Sequence, residues 1–220
     1  DAKLLAGVAE KIRATGAEIE TRTVDVRDSD ALRATIDDFA TRHNRLDVLF
    51  ANAGISAGPG YLEEVGQLAN VQLSTWHNVI DINLTSVFVS MQAASRHMKA
   101  RRTGRIIVTA SIAGLRSEMI CGYAYVATKA AVANLVRHAA VELAPFNVMV
   151  NAIAPGTFLT NIAGGKSHDP AVRERLATMS PAGRVAETAE LKGLALLLAS
   201  PASSYLTGAV IPIDGGATAT

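Results

Sequence analysis

The chain has 220 residues, 49% of them apolar, which suits one domain with a substantial buried core. Its 21 lysines and arginines nearly cancel its 20 aspartates and glutamates, and no basic cluster exceeds the short stretch at residues 99–105, so neither nucleic acid nor an acidic membrane is an expected partner. The single cysteine, Cys121, excludes an internal disulfide and a multi-cysteine metal site, and no apolar run approaches the roughly 18 residues of a membrane span; a reducing, cytoplasmic setting is expected.

Leu4, Leu5, Val8 and Ile12 recur at helical spacing and Gly16 stands where a helix would end, so the chain opens inside a helix. Short β-rich runs then alternate with helical patterns. Residues 19–26, 46–51, 105–110, 148–153 and 210–213 read as strands, and residues 30–43, 75–101, 123–143 and 187–199 as helices. The runs LDVLFA and RIIVTA are apolar almost throughout, as expected where helices cover both faces of a parallel sheet. The expected fold is therefore α/β, a doubly wound parallel sheet in one domain over residues 1–220. Two connections, residues 54–74 and 157–184, are long enough to be binding loops or mobile surface insertions.

In open α/β sheets ligands bind where the strands end, and the chemistry-bearing residues cluster there. Asn52, Ala53 and Gly54 follow LDVLFA; small residues let a backbone approach a flat ligand, although the same tripeptide also serves as an ordinary turn. Ser111 follows the strand at 105–110. Tyr125 and Lys129, four apart in a helical pattern, share a face. Alone, the pair reads equally as an amphipathic core tyrosine beside a solvated lysine. A phenol titrates near pH ~10, and bringing it to neutrality takes about 4 kcal/mol. One positive charge at ~4 Å in an effective dielectric of ~20 supplies about that much, so a close Lys129 is expected to let Tyr125 trade protons near neutral pH. Cys121 reads as a small buried hydrophobe or a piece of pocket wall. The histidines lack metal-ligand spacing and no Gly-x-Ser-x-Gly elbow surrounds Ser111, so neither a metal site nor a hydrolase triad is expected.

The ordered series Asn52-Ala53-Gly54, Asn83 in a helix, Ser111, Tyr125-x3-Lys129, Pro155-Gly156 and Ile213-Asp214-Gly215-Gly216 resembles the short-chain dehydrogenase/reductase family along essentially the whole chain. The resemblance implies a Rossmann-type sheet, NAD or NADP as cofactor, and a small carbonyl or alcohol as substrate. It also implies a homodimer or homotetramer packed through the helices at 75–101 and 123–143. By the same resemblance Ser111 holds the substrate carbonyl, Tyr125 donates the proton, Lys129 binds the nicotinamide ribose and lowers the tyrosine's pKa, and Asn83 holds a relay water. Asp25 matches the position against the adenine ring, Asn52, Ala53 and Gly54 the stretch beside the adenosine half, and Pro155, Gly156 and Thr160 the loop at the carboxamide. Two departures stand out. Ala51 replaces the first asparagine of the family's Asn-Asn-Ala-Gly, and no Gly-rich turn for the pyrophosphate is present, so the family's first strand, first helix and second strand are expected to precede Asp1. Residues 19–26 should then stand about three strand spacings from residues 46–51 with no ladder between them. The C-terminal portion resembles several branches, including 3-oxoacyl-thioester reductases and polyol or sugar dehydrogenases, whose pocket loops vary most, so the substrate is not readable from the sequence. A catalytically silent binding or assembly subunit on the same fold is the rival reading.

Overall fold

A computed structural model describes residues 2–219. Helix α1 (Ala2–Arg13) runs out into a turn closed by Gly16 at φ 83°, a left-handed conformation that glycine adopts without strain. Helix α2 (Ser29–His43) is capped by the Asp28 carboxylate, which accepts from the Ala31 N–H, and ends on a left-handed Asn44. Then follow β1 (Val48–Ala51), α3 (Leu73–Ile80), a π-helical turn (Asp81–Thr85), α4 (Ser86–Arg101) and β2 (Gly104–Thr109). The chain continues through α5 (Tyr123–Leu143), β3 (Val148–Pro155), α6 (Pro170–Ala177), α7 (Lys192–Ala199) and β4 (Val210–Ile213).

The strands form one parallel sheet in the order β1-β2-β3-β4, with Val48 opposite Arg105, Ile107 opposite Asn151 and Ile153 opposite Ile211. Alternate residues of each strand point to opposite faces. Ile106, Val108, Val150 and Ala152 pack against Met91, Ala94 and Met98 of α4 and Val132, Val136 and Ala140 of α5. Ile107 and Ile153 point the other way, onto Leu194 and Leu198 of α7. Helices thus cover both faces, which is the doubly wound arrangement read from the apolar strands.

Four expectations need correction. Residues 19–26 form no strand: a β-rich alternation states what the side chains suit, whereas a strand exists only in a ladder, and no described strand lies beside this one. Ion pairs hold the segment to α2 instead, Arg42 with Glu20 and Arg22 with Asp38, both at 2.7 Å. The helix expected at 75–101 begins at Leu73 and is interrupted by the π turn. The long connection 157–184 contains α6, whose start is set by Asp169, accepting from the Ala171 and Val172 N–H groups, and by Pro170 in the first turn; Val172 and Leu176 give it too thin an apolar stripe to stand out in the sequence. The last helix expected, 187–199, opens as a 3₁₀ turn in a Glu187/Glu190 capping box and becomes α-helical at Lys192. No helix among the described residues is long and apolar enough to cross a membrane.

Candidate active site

The carboxyl ends of β1 and β2 meet the start of α5. Lys129 is 3% exposed, and its Nζ donates to the Thr109 carbonyl at 2.7 Å. The Thr109 hydroxyl in turn donates to Asn52 Oδ1 at 2.7 Å, so the last residue of β2 ties the turn after β1 to the lysine of α5. Gly54 completes the corner: a Cβ placed there would lie 3.4 Å from Asn83 Oδ1 and 3.7 Å from Lys129 Nζ. Asn83, fully buried in the π turn, accepts from the Ile55 N–H at 2.8 Å and donates to the Ile55 carbonyl at 2.9 Å. Insertion of a π turn into an α-helix is a recurrent way of presenting a functional side chain.

Ser111 is buried immediately beyond β2, and its Oγ accepts from the Ala113 N–H at 3.1 Å, opening a 3₁₀ turn. Gly114 ends that turn directly on the main chain of α5 at Lys129, where a Cβ would stand 2.4 Å from the carbonyl oxygen. The serine is thereby held beside the helix face bearing Tyr125. The half-buried phenol is pushed above its ordinary value by burial, with a hydrogen bond from Ser111 working against that rise. Burial also lowers the Lys129 ammonium to about 8. The expectation that Lys129 draws the phenol toward neutrality is therefore corrected for the chain alone. Lys129 Nζ is turned to the Thr109 carbonyl, 5.6 Å from the centre of the tyrosine ring, and desolvation dominates at both groups.

The other expected residues have the following partners. Pro155 ends β3 opposite Ile213, and the Gly156 N–H donates to the Ile213 carbonyl at 3.0 Å. A Cβ on Gly156 would come within 2.8 Å of Asp214, which explains the glycine by close approach. Thr160 bonds within its own loop, its N–H and carbonyl engaging the Ser167 hydroxyl and its Oγ1 accepting from the Ile162 N–H. Asp25 is exposed and gripped by Arg27 at 2.6 Å, which holds its carboxyl down at about 2; Arg27 also reaches Asn78 on α3 at 3.4 Å. Asn52, Ala53 and Gly54 form an exposed ledge. Sequence reasoning missed Thr109 and Gly114. The signal for Thr109 was a lone hydroxyl at the end of an apolar strand; Gly114 carried none beyond being a glycine.

The donor set suits a polyhydroxyl ligand. A lysine ammonium has three N–H donors, and Lys129 spends one on Thr109 while making no ion pair among the described residues. Beside it lies Gly54, with no side chain to fill the corner. A buried, under-used cation facing a bare ledge fits the ribose of a nicotinamide dinucleotide.

A protein-family model described as "Enoyl-(Acyl carrier protein) reductase" matches residues 1–218. The cis-4-hydroxycyclohexanecarboxylate dehydrogenase of Sinomonas cyclohexanicum is 38% identical over 212 residues, 96% of this chain and 82% of that protein. The 3-oxoacyl-(acyl-carrier-protein) reductase of Staphylococcus aureus is 34% identical over 210 residues, 95% of this chain and 81% of that one. Among solved structures, a short-chain type dehydrogenase/reductase from Mycobacterium marinum superposes with a TM-score of 0.89 at 34% identity, over 100% of this chain and 84% of that one. These matches place the chain among the NAD(P)-dependent oxidoreductases. Within that class it belongs to the short-chain dehydrogenase/reductase family.

Proposed function

We propose that this protein interconverts a secondary alcohol and the corresponding ketone, with Tyr125 exchanging the proton and NAD or NADP exchanging the hydride. The observation that carries the reading is the Asn52–Thr109–Lys129 chain of hydrogen bonds, which fixes a buried ammonium on the helix face that bears Tyr125. Relatives support the substrate class: their names specify a hydroxycyclohexanecarboxylate, a 3-oxoacyl thioester carrier and a hydroxysteroid, each with a carbon-bound oxygen of that type. A gluconate 5-dehydrogenase from Burkholderia cenocepacia with a TM-score of 0.89 at 32% identity was solved in complex with NADP and tartrate.

When bound, the dinucleotide supplies or accepts the hydride. Everything else falls to the chain. Lys129 would give its two remaining donors to the ribose hydroxyls while Thr109 holds the third. Ser111 donates to the substrate oxygen and orients the carbonyl. Tyr125, a phenol that ordinarily titrates at pH ~10 and that burial moves further up, is in the protonation state of an acid at pH 7 and delivers its proton to that oxygen in reduction. Asn83 grips Ile55 and thereby holds Gly54 and its ledge against Lys129. Asp25 serves the adenine side, and Pro155, Gly156 and Thr160 the carboxamide side.

The protein is cytoplasmic in this reading and works as a homodimer or homotetramer. In support, α4 and α5 leave between them an open groove of about 550 Å³ lined by Leu84, Phe88, Leu135 and His138. Titrating the chain with reduced nicotinamide dinucleotide while following its fluorescence, and assaying ketone reduction by wild type and Tyr125→Phe, tests the function. Saturable binding and a rate carried by Tyr125 are expected of the molecule with its Gly-rich dinucleotide-binding unit present; no binding by that molecule would favour the silent-subunit reading.

A further inference from the structure

The loop of residues 115–122 begins and ends at the site: Ser111 opens the turn before it, and Gly122 caps the helix that carries Tyr125. On one side it meets the 54–60 loop main chain to main chain. A Cβ on Gly60 would lie 2.0 Å from the Met119 carbonyl oxygen, and one on Gly122 would lie 2.6 Å from that of Ala57. On the other side stands Arg116. Its Nε donates to Glu118 Oε1 at 2.8 Å, and its Nη1 donates to the Ala217 carbonyl. Glu118 is 6% exposed and Ala217 4%. Among the described ion pairs this is the one with a buried member, and a buried carboxylate is costly to keep unless its partner is held in place.

Ala217 belongs to a turn wound on Asp214, whose carboxylate accepts from the Gly216 N–H at 2.9 Å, the Thr218 N–H at 2.8 Å and the Thr218 hydroxyl at 2.7 Å. Asp214 in turn packs against Gly156 at the end of β3. The guanidinium therefore joins the segments that follow β2 and β4, and Asp214 links the latter to the end of β3.

We propose that Arg116 is a positioning residue: by bridging Glu118 and Ala217 it clamps the C-terminal turn onto the loop between Ser111 and Tyr125 and so fixes the substrate-side wall of the site. The proposal rests on the catalytic reading above in taking that wall as the substrate's. A guanidinium is suited to the task because its fork reaches two acceptors at once in fixed geometry, which an ammonium does not. The clamp acts on substrate capture. Loosening it leaves Lys129, Thr109 and the ribose ledge untouched.

The test uses the full chain in four forms: wild type, Arg116→Met, Arg116→Lys and Glu118→Gln. Amide hydrogen exchange of segments 115–122 and 214–219 is read beside steady-state ketone reduction. For Arg116→Met we expect both segments to exchange at least about tenfold faster together, and KM for the ketone to rise roughly tenfold while kcat changes less than about threefold. Arg116→Lys should fall between wild type and Arg116→Met, and Glu118→Gln should loosen both segments to a smaller degree. If Arg116→Met does not fold, the other two variants carry the same readouts. Unchanged exchange in 214–219, or an unchanged KM, in an enzyme that Tyr125→Phe inactivates overturns the clamp alone. Near-normal turnover in Tyr125→Phe overturns the catalytic reading and leaves the exchange result to decide the clamp.

Discussion

Asn83 holds both backbone polar groups of Ile55 with one side-chain amide, the N–H at 2.8 Å and the carbonyl at 2.9 Å, across 28 residues of sequence. The amide is fully buried, so removing it strands two backbone groups without water. Asn83→Ala is expected to cost about 2–4 kcal/mol and to raise the dinucleotide dissociation constant, because Gly54 is no longer held beside Lys129. Asn83→Asp keeps the shape but sets an acceptor against the Ile55 carbonyl and should be at least as damaging. Denaturant midpoints and fluorescence titration of both variants check this; full stability in Asn83→Asp would show that the grip contributes nothing.

Tyr125→Phe deletes one hydroxyl and no packing. Turnover should fall by about 100-fold or more, the lower end of what general acid catalysis supplies, while dinucleotide affinity stays within a factor of two or so. Single-turnover reduction at pH 7 measures it directly.

Lys129 provides the pH test. Folding buries its ammonium and lowers it to about 8, so above that pH the unfolded chain holds more protons than the folded one, and stability rises until the ordinary lysine value is reached. Below pH 8 the buried charge costs about 3 kcal/mol, from which its bond to Thr109 recovers a part. Lys129→Met should therefore match or exceed wild-type stability at pH 7, lose that advantage by pH 10, and bind the dinucleotide more weakly. Urea melts of the two proteins at both pH values decide; parallel curves would mean that Lys129 is not charged and buried as described.

Gly114→Ala places a methyl group 2.4 Å from the carbonyl oxygen of Lys129, a main-chain atom of a long helix that cannot turn away. A loss of roughly 1–3 kcal/mol is expected, and because the turn it displaces begins at Ser111, kcat should drop as well. Thermal melting beside kinetics tests the pair of effects; stability lost with kcat intact would separate the serine from this contact.

Assembly through α4 and α5 predicts that Phe88, 49% exposed on the groove, is covered by a second copy. Phe88→Asp should shift the protein toward monomer at micromolar concentration in sedimentation velocity. A wild-type monomer under the same conditions would remove the expectation.

The helices were legible because their apolar residues repeat at helical spacing, the parallel sheet because its strands are short runs apolar almost throughout, and the serine, tyrosine and lysine because a short ordered motif brings them along. What escaped is what sequence spacing does not encode. Residues 19–26 have the side chains of a strand without a ladder, and only the fold shows that no strand lies beside them. The joint among Asn52, Thr109 and Lys129 links positions up to 77 residues apart through a hydroxyl and a carbonyl, and the carbonyl is present in every residue. The phenol's raised pKa follows from burial, which a charge-pair argument built on spacing leaves out.

The π turn at Asp81–Thr85 carries one residue more per turn than the α-helices on either side of it. The wider turn takes up that residue, so one buried face runs on from Val79 and Asn83 through Ser86, Val87, Ser90 and Ala94 to Met98. Along this face α3 packs on α5, and α4 on the sheet, α2 and α5. Deleting any one residue of 81–85 would leave an unbroken α-helix whose face is turned by about 100° on one side of the cut, swinging Asn83 or Met91 off its partner. The segment thus behaves as a gear tooth that sets the angular relation between the packed core and the site, and its length is constrained more tightly than its composition.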